Sequence, residues 1–250
     1  MSSAGASALQ RWNIAAGQFF FRYRNGLFPT VFVLITLTLR PSILFHHPTL
    51  DKILVVCGIF VAMGGEAFRL ATIGLEYIER GGKNGRAYAS RLVQKGMYGH
   101  TRNPMYVGNS LMAIGMSMAT GAPAAYLIVI PFFLFVYQAI VASEEEYLRT
   151  RFGDDYSEYC TRVPRFIPSF RNASPLSDIR YRWKRALRQD LSTLTALLLG
   201  LGLLPLWRAY FLRGPAAAKE ILPQTAMLMT GVLVFYRVVH SLKKRGRLAD

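Results

Sequence analysis

Six apolar stretches constrain this chain more than any other feature of its sequence. They run roughly from Leu27 to Leu44, Ile53 to Leu75, Met105 to Thr120, Ala122 to Ala142, Leu191 to Leu212 and Ile221 to His240. A helix needs about 20 mainly apolar residues to cross the hydrocarbon core of a bilayer. Backbone polar groups in that core must be paired within the protein, which favours helices. The sequence therefore predicts an all-α, polytopic membrane protein with about six transmembrane segments.

The third and fourth stretches are predicted to form a short helical hairpin. The third is short for a span, and the fourth follows it through the turn-forming residues Thr120-Gly121-Ala122-Pro123. Both helices of such a hairpin would be buried in the bilayer, with their open end at the membrane surface.

The charge pattern predicts the orientation of the chain. Basic residues number 30 against 14 acidic ones, an excess that would indicate nucleic acid in a soluble protein. At 18% charged and 52% hydrophobic residues, the composition is that of a membrane protein instead, so no nucleic-acid partner is expected. With the N-terminus in the cytoplasm, 23 of the basic residues fall in inner segments and five in outer loops. Basic residues collect in cytoplasmic loops, so both termini are predicted to be cytoplasmic, with anionic membrane lipids as a secondary partner.

A first polar cluster lies where a loop enters the third stretch. It reads Tyr98-Gly99-His100-Thr101-Arg102-Asn103-Pro104-Met105-Tyr106-Val107-Gly108-Asn109. Pro104 favours an extended Asn103 and suits the first turn of a helix. The helix N-terminus would then offer unpaired N–H groups to an anion, while Gly108 leaves room for close approach. Ordinary snorkelling of polar residues at a membrane boundary is the open alternative.

A second and a third cluster follow the fourth stretch. Three carboxylates, Glu144-Glu145-Glu146, stand at a helix C-terminus, where the dipole disfavours negative charge. They predict either a cationic ligand or compensation by nearby arginines. Further on, Tyr156 and Tyr159 should share a helix face, before an extended segment that includes Arg165.

Charged residues inside the second stretch are a further candidate. Glu66 and Arg69 would lie within the membrane, where charges are costly and often functional. Their i, i+3 spacing favours a structural pair within one helix. Cys57 and Cys160 lie far apart and belong to no metal-binding pattern, so no metal site is predicted.

Together these clusters resemble the integral-membrane methyltransferases, which include isoprenylcysteine carboxyl methyltransferases and phospholipid N-methyltransferases. The family pattern is Arg-His-Pro-x-Tyr-x-Gly, then Glu-Glu-x-x-Leu-x-x-x-Phe-Gly-x-x-Tyr-x-x-Tyr, then Val-Pro. This chain has Arg102-Asn103-Pro104-Met105-Tyr106-Val107-Gly108, then Glu144-Glu145, Leu148, Phe152-Gly153, Tyr156, Tyr159 and Val163-Pro164. The resemblance covers about residues 90–168, and it departs at Asn103, where the family has histidine and a general base is therefore lost.

The resemblance implies S-adenosylmethionine as cofactor, bound at the cytoplasmic face of the hairpin. The expected cofactor-binding residues are Tyr98, Pro104, Tyr106, Gly108, Asn109, Glu144, Glu145, Tyr156, Tyr159 and Arg165, and the expected catalytic residues are Arg102, Asn103, His100 and Glu145. A carboxylate would pair with the ammonium of the cofactor, and tyrosine faces suit its adenine or its sulfonium. The chain then divides into an interfacial segment (1–26), the first two spans with a loop (27–89), a methyltransferase core (90–170), and a basic loop with two additional spans (171–250).

The expected reaction is methyl transfer to a lipidic acceptor that enters from the bilayer. It is either O-methylation of an isoprenylcysteine-type carboxylate or N-methylation of a phospholipid amine, and Arg102 would position an anionic acceptor. An amine acceptor would need a base, either His100 or a glutamate of the triplet. The alternatives are a sterol or lipid reductase that uses NADPH, and a non-enzymatic scaffold or transporter. The last two spans would widen or roof a lipid-accessible cavity, or mediate a homodimer.

Overall fold

The computed structural model describes residues 8–43, 47–76, 82, 87–169 and 179–248. Its α-helices are α1 (Ala8–Thr38), α2 (Pro48–Leu75), α3 (Pro104–Thr120), α4 (Ile130–Arg162), α5 (Trp183–Arg213) and α6 (Pro215–Lys244). A short 3₁₀ helix, Gly96–Gly99, precedes α3, and a π-helical turn, Ala125–Val129, leads into α4. No strand occurs within these ranges, which confirms the all-α prediction.

Four helical segments in the described ranges are long and apolar enough to cross a membrane. They are Pro48–Leu75, Ala125–Arg162, Trp183–Arg213 and Pro215–Lys244. They contain the second, fifth and sixth predicted stretches and all but the first three residues of the fourth. The third stretch is α3, which has 17 residues and is short for a span. The first lies mostly in α1, which runs continuously across residue 26, while the predicted end at Leu44 lies outside the described residues. The chain is therefore an all-helical membrane protein.

Glycines bring α2 and α3 into close contact. A Cβ atom on Gly65 of α2 would lie 2.6 Å from the carbonyl oxygen of Gly108, and one on Gly115 of α3 would lie 2.3 Å from the amide nitrogen of Ala62. Small residues let membrane helices approach this closely because they leave space between the two backbones. Close packing matters there, since lipid provides little hydrophobic driving force for helices to associate. The α2–α3 pair is the centre of the bundle, with α5 packed on α2, α6 on α5, and α1 on α4.

Two adjacent glycines of α2 offer a direct test of this interface. We expect Gly65→Ala to destabilise the protein by about 1–3 kcal/mol, since the added methyl group would overlap the backbone of α3. Gly64→Ala is the control, because a Cβ atom there meets nothing within 4 Å. Thermal unfolding of the two purified variants in detergent would measure the difference. Equal melting temperatures would contradict the interface.

The predicted hairpin between α3 and α4 is present. Gly121 ends α3 in the left-handed conformation with φ at 65°, and its amide donates to the carbonyl oxygen of Met118 at 3.1 Å. Arg208 of α5 closes the same end of the bundle, donating to the carbonyl oxygen of Thr120 at 2.6 Å and to Asp51 of α2 at 2.5 Å. This end lies opposite the functional site described below.

Helix α4 continues well beyond the predicted span. It is interrupted at Gly153, whose φ of 52° and ψ of −120° are not helical and favour glycine. The last part of α4 then carries Tyr156 and Tyr159 into a buried cluster with Val163. The break thus redirects the end of α4 towards the start of α3.

Candidate active site

A cavity of about 770 Å³ opens at the end of the bundle where α2 ends and α3 begins. All six helices contribute to its wall, together with the loop residues 87–93. Its volume lies within the range of small-molecule and cofactor sites. The cavity is therefore the candidate active site, and each predicted site residue either lines it or lies outside its lining.

The three adjacent glutamates of α4 have three different environments, because successive helical residues point about 100° apart. Glu144 lines the cavity and accepts a hydrogen bond from the hydroxyl of Tyr106 at 2.7 Å. Glu145 points into a separate buried cluster of polar residues. Glu146 lies at the surface, 3.4 Å from Arg149. The helix therefore directs only Glu144 of the triplet into the cavity.

Glu145 joins two segments of the chain behind the cavity wall. Its carboxylate lies 2.9 Å from Nε of Arg165 and 3.6 Å from Nη2 of Arg102, and Oε1 accepts from Nδ2 of Asn103 at 3.3 Å. Asn103 also donates to the carbonyl oxygen of Arg165 at 3.1 Å. None of these four residues lines the cavity. They form what we term the docking cluster (Arg102, Asn103, Glu145 and Arg165).

Backbone hydrogen bonds complete this junction. The amide of Arg102 donates to the carbonyl oxygen of Pro164 at 2.9 Å. The amide of Ser169 donates to the carbonyl oxygen of His100 at 2.8 Å. The buried ring of His100 places Nδ1 3.0 Å from the carbonyl oxygen of Ser169. The segment after α4, which was predicted to be extended but bends at residues 165–167, is thus held along the residues that precede α3.

Loss of the Glu145 carboxylate should weaken this junction. We expect Glu145→Gln to destabilise the protein by about 1–3 kcal/mol, because Arg102 and Arg165 would lose their shared partner. That corresponds to a fall in melting temperature of about 2–4 °C for each kcal/mol. Glu146→Gln should change it little, since exposed ion pairs contribute little. Unfolding scans in detergent would contradict the docking cluster if both variants melted alike.

Tyrosines form much of the cavity wall. They are Tyr88, Tyr98, Tyr106, Tyr137, Tyr147 and Tyr159. The hydroxyl of Tyr159 donates to the carbonyl oxygen of Tyr98 at 2.7 Å, which ties the end of α4 to the 3₁₀ helix. The rings of Tyr106 and Tyr137 lie 5.9 Å apart. Aromatic faces of this kind attract cations as well as planar rings.

The predicted site residues therefore fall into two groups. Those that line the cavity are Tyr98, Tyr106, Asn109, Glu144 and Tyr159. Those that lie outside its lining are His100, Arg102, Asn103, Pro104, Gly108, Glu145, Tyr156 and Arg165. Gly108 instead faces α2, where a Cβ atom would lie 2.5 Å from Cγ of Arg69. Tyr156 is buried beside Tyr159, with ring centroids 6.1 Å apart.

A buried ionic network lies at the cavity wall between α2, α3 and α5. Nε of Arg69 donates to Asp190 at 3.1 Å, Nη2 donates to the other oxygen of the same carboxylate, and Nη1 donates to Oδ1 of Asn109. Nε of Arg69 also lies 3.5 Å from Glu66, so the predicted intrahelical pair is present. Arg69, Asp190 and Glu66 are all nearly inaccessible to solvent. We call these three residues and Asn109 the buried network.

Sequence reasoning missed several residues that the structure brings to the cavity. They include Arg24 of α1, Tyr137 and Tyr147 of α4, Arg188 and Gln189 of α5, and Lys243 of α6. Asp190, the partner of Arg69, was also missed and lies behind the cavity lining. Pairings over more than 100 residues have no local signal, although a buried arginine does require a buried partner. Among the residues that the structure describes, no group of three or more His, Cys, Asp or Glu side chains could hold a metal ion.

Comparison with known proteins shows where this architecture belongs. Residues 52–155, which include the cavity-lining parts of α2, α3 and much of α4, match the phospholipid methyltransferase family. The cobalt-zinc-cadmium resistance protein CzcN of Cupriavidus metallidurans is 31% identical over 158 residues, which cover 62% of this chain and 68% of CzcN. The chain belongs to the phospholipid methyltransferase family. This agrees with the resemblance found in its motifs.

Two further relatives in the comparison match over smaller parts of their length. The protein-S-isoprenylcysteine O-methyltransferase of Schizosaccharomyces pombe is 35% identical over 77 residues, which cover 31% of this chain and 33% of that protein. A delta(14)-sterol reductase of Mus musculus is 28% identical over 156 residues, covering 53% of this chain and 35% of the reductase. No solved structure matches the chain. The family match leaves out α1, α5 and α6, which here complete the cavity wall.

Proposed function

We propose that this protein transfers a methyl group from S-adenosylmethionine to a lipidic acceptor in the membrane. The observation that carries the proposal is the Glu144–Tyr106 pair in a cavity of about 770 Å³, within the part of the chain that matches the methyltransferase family. Both residues also belong to the motifs that first indicated the family. The acceptor would be an isoprenylcysteine-type carboxylate or a phospholipid amine.

The residues at the cavity fit the chemistry of the cofactor. S-adenosylmethionine has an ammonium, a carboxylate and a sulfonium, and when bound it supplies a methyl group for in-line displacement. Glu144 would pair with the ammonium, and the tyrosine faces would attract the sulfonium. Arg69 donates to Oδ1 of Asn109, which leaves the amide N–H groups of Asn109 to donate to the carboxylate.

The protein's own contribution is alignment and exclusion of water. A partly buried carboxylate and aromatic walls would hold the reacting groups in one geometry, which removes much of the entropic barrier. A carboxylate acceptor needs no base, so asparagine at position 103 is compatible with O-methylation. Because Arg102 is held by Glu145 behind the wall, we assign it to positioning of the wall rather than to contact with the acceptor.

The cavity lies at the end of the bundle that the charge pattern assigns to the cytoplasm. The start of α5 and the end of α6, both rich in basic residues, flank it. We therefore infer that both termini are cytoplasmic and that the acceptor reaches the cavity from the adjoining leaflet. Protease accessibility of a terminal tag in sealed vesicles would test this orientation.

Transfer of labelled methyl groups tests the proposed function. Membranes that contain the protein would be incubated with methyl-labelled S-adenosylmethionine, and the lipid fraction would be counted before and after mild base. Volatile label released by base indicates a methyl ester, and base-stable label on a polar lipid indicates an N-methylated headgroup. No label above that of the Glu144→Gln variant, across a broad lipid extract, would contradict the proposal.

Similarity to the delta(14)-sterol reductase favours a reductase as the second candidate. Basic residues at the cavity could then bind the phosphate of a dinucleotide. A ligand that binds only the folded state raises the melting temperature, so titration with S-adenosylhomocysteine and with NADPH separates the candidates. Stabilisation by NADPH alone would favour the reductase.

A further inference from the structure

Three basic residues from outside the family match line the cavity. They are Arg24 of α1, Arg188 of α5 and Lys243 of α6, all beyond residues 52–155. The part of the cavity wall that comes from α3 and α4 contributes Tyr106 and Glu144 but no basic side chain. The helices α3 and α4 thus contribute a carboxylate to the cavity lining, while α1, α5 and α6 contribute cations.

The charges at the cavity do not balance. Arg69 is neutralised by Asp190, and Arg91 lies 2.9 Å from Glu76. Arg24 stacks over the ring of Phe21, with 3.9 Å between its guanidinium carbon and the ring centre. Within the described ranges, no carboxylate lies within 4.0 Å of the charged nitrogen atoms of Arg24, Arg188 or Lys243. Glu144, which interacts electrostatically with Arg24, is the one acidic residue in the cavity lining.

The cofactor would increase this imbalance. S-adenosylmethionine has two positive groups and one negative group, so its own net charge is positive and would be compensated by Glu144. Three cations would then remain in the cavity lining, where their positive potential would attract an anionic group. A second ligand with such a group would pair with them.

The fold brings Arg188 and Lys243 to the same end of the bundle. Asp190, two residues after Arg188, is bound by Arg69 of α2, so the start of α5 is held against the cavity wall. Lys243 lies in the last turn of α6, at the same end of the bundle. Apolar residues such as Phe21, Met105 and Ile140 line the cavity nearby, which suits the chain of a lipid.

We propose that Arg24, Arg188 and Lys243 bind an anionic group, a phosphate or a carboxylate, on the lipid acceptor. This proposal rests on the proposed function and assigns the acceptor side of the same site. The α5–α6 hairpin and α1 thereby select the substrate, while the family core binds the cofactor.

Lipid binding to the purified protein in a neutral detergent provides the test, and it does not depend on turnover. The probes are dioctanoyl phosphatidate for phosphate, octanoate for carboxylate and dioctanoylglycerol as the uncharged lipid, each titrated against the melting temperature. The test variant is Arg188→Gln/Lys243→Gln. The matched control is Lys184→Gln/Lys244→Gln, which removes the same charge from exposed neighbours on the same two helices that do not line the cavity.

We expect phosphatidate or octanoate to stabilise the wild type and dioctanoylglycerol to have no comparable effect. The test variant should bind the anionic lipid about tenfold more weakly or worse, through loss of two charge-assisted contacts. The control should keep the wild-type affinity, and all three proteins should bind S-adenosylhomocysteine alike. Which anionic probe binds then distinguishes phosphate from carboxylate.

Three results would overturn the proposal. Equal loss of lipid binding in the test variant and its control would indicate general surface charge. A parallel loss of S-adenosylhomocysteine binding in the test variant would indicate that these cations hold the carboxylate of the cofactor. Absence of any preference for an anionic probe over dioctanoylglycerol would remove the site altogether. Failure of the wild type to bind S-adenosylhomocysteine would instead contradict the proposed function. The lipid titrations would still show, independently of that result, whether the three cations bind an anionic group.

Discussion

Glu144→Gln should reduce methyl transfer at low cofactor concentration by about 30- to 150-fold, which corresponds to about 2–3 kcal/mol for a lost charge-assisted contact. Glutamine keeps the size of the side chain and can still accept a hydrogen bond from Tyr106, which donates to Glu144 at 2.7 Å. It removes only the charge that would pair with the ammonium of the cofactor. The fold should therefore survive while cofactor binding fails.

Neighbouring residues make this prediction specific. Glu146→Gln removes the same charge two residues further along α4, at the surface beside Arg149, and should leave activity unchanged. Tyr106→Phe removes the hydrogen-bond donor but keeps the carboxylate, so it should weaken cofactor binding less than Glu144→Gln does. Binding of S-adenosylhomocysteine by calorimetry would check the order. Equal affinities for Glu144→Gln and the wild type would remove Glu144 from the cofactor site.

Arg69→Met should cause the largest loss of stability of any single substitution considered for this protein. The change would leave Asp190 and Glu66, which are 0% and 1% exposed, without the cation that lies beside both. Removing one partner of a buried ion pair costs about 3–5 kcal/mol. For a chain of this size, that lowers the melting temperature by roughly 10 °C.

Companion variants separate lost charge from lost packing. Glu66→Gln should cost less than Arg69→Met, because the Arg69–Asp190 pair would remain. The triple variant Glu66→Gln/Arg69→Met/Asp190→Asn should recover part of the stability, since no charge would remain buried there. Arg149→Met, at an exposed ion pair, serves as the control and should change little. If Arg69→Met melted like Arg149→Met, the buried network would not stabilise the bundle.

The family core could be predicted from the sequence because its signals are local. Apolar runs indicated the helices, and Thr120-Gly121-Ala122-Pro123 indicated the hairpin turn that Gly121 forms. The motif at Arg102, together with the spacing of Glu144, Tyr156 and Tyr159 within a second motif, indicated the family that the comparison then showed. These features depend on neighbours a few residues apart, so the printed sequence contains them.

The roles within each motif depended on the tertiary structure. Glu144 and Glu145 are adjacent residues of the same type, so a sequence motif does not distinguish their roles. In the structure, Glu144 faces the cavity and Glu145 faces the docking cluster. The direction of each side chain follows from how α4 packs against α1 and α3, which no local pattern specifies. For the same reason, Arg102 and Asn103 are placed behind the wall although their motif suggested ligand contact.

The sequence by itself determined that this is a helical membrane protein of the methyltransferase type, because hydropathy, charge bias and motif spacing are properties of short segments. Only the tertiary structure decided that Arg69 pairs with Asp190, 121 residues away, and that α1, α5 and α6 bring cations to the cavity. Such contacts join the ends of distant helices. They exist because buried charges need partners and small residues let helices approach, and the partner is chosen by packing rather than by position in the chain.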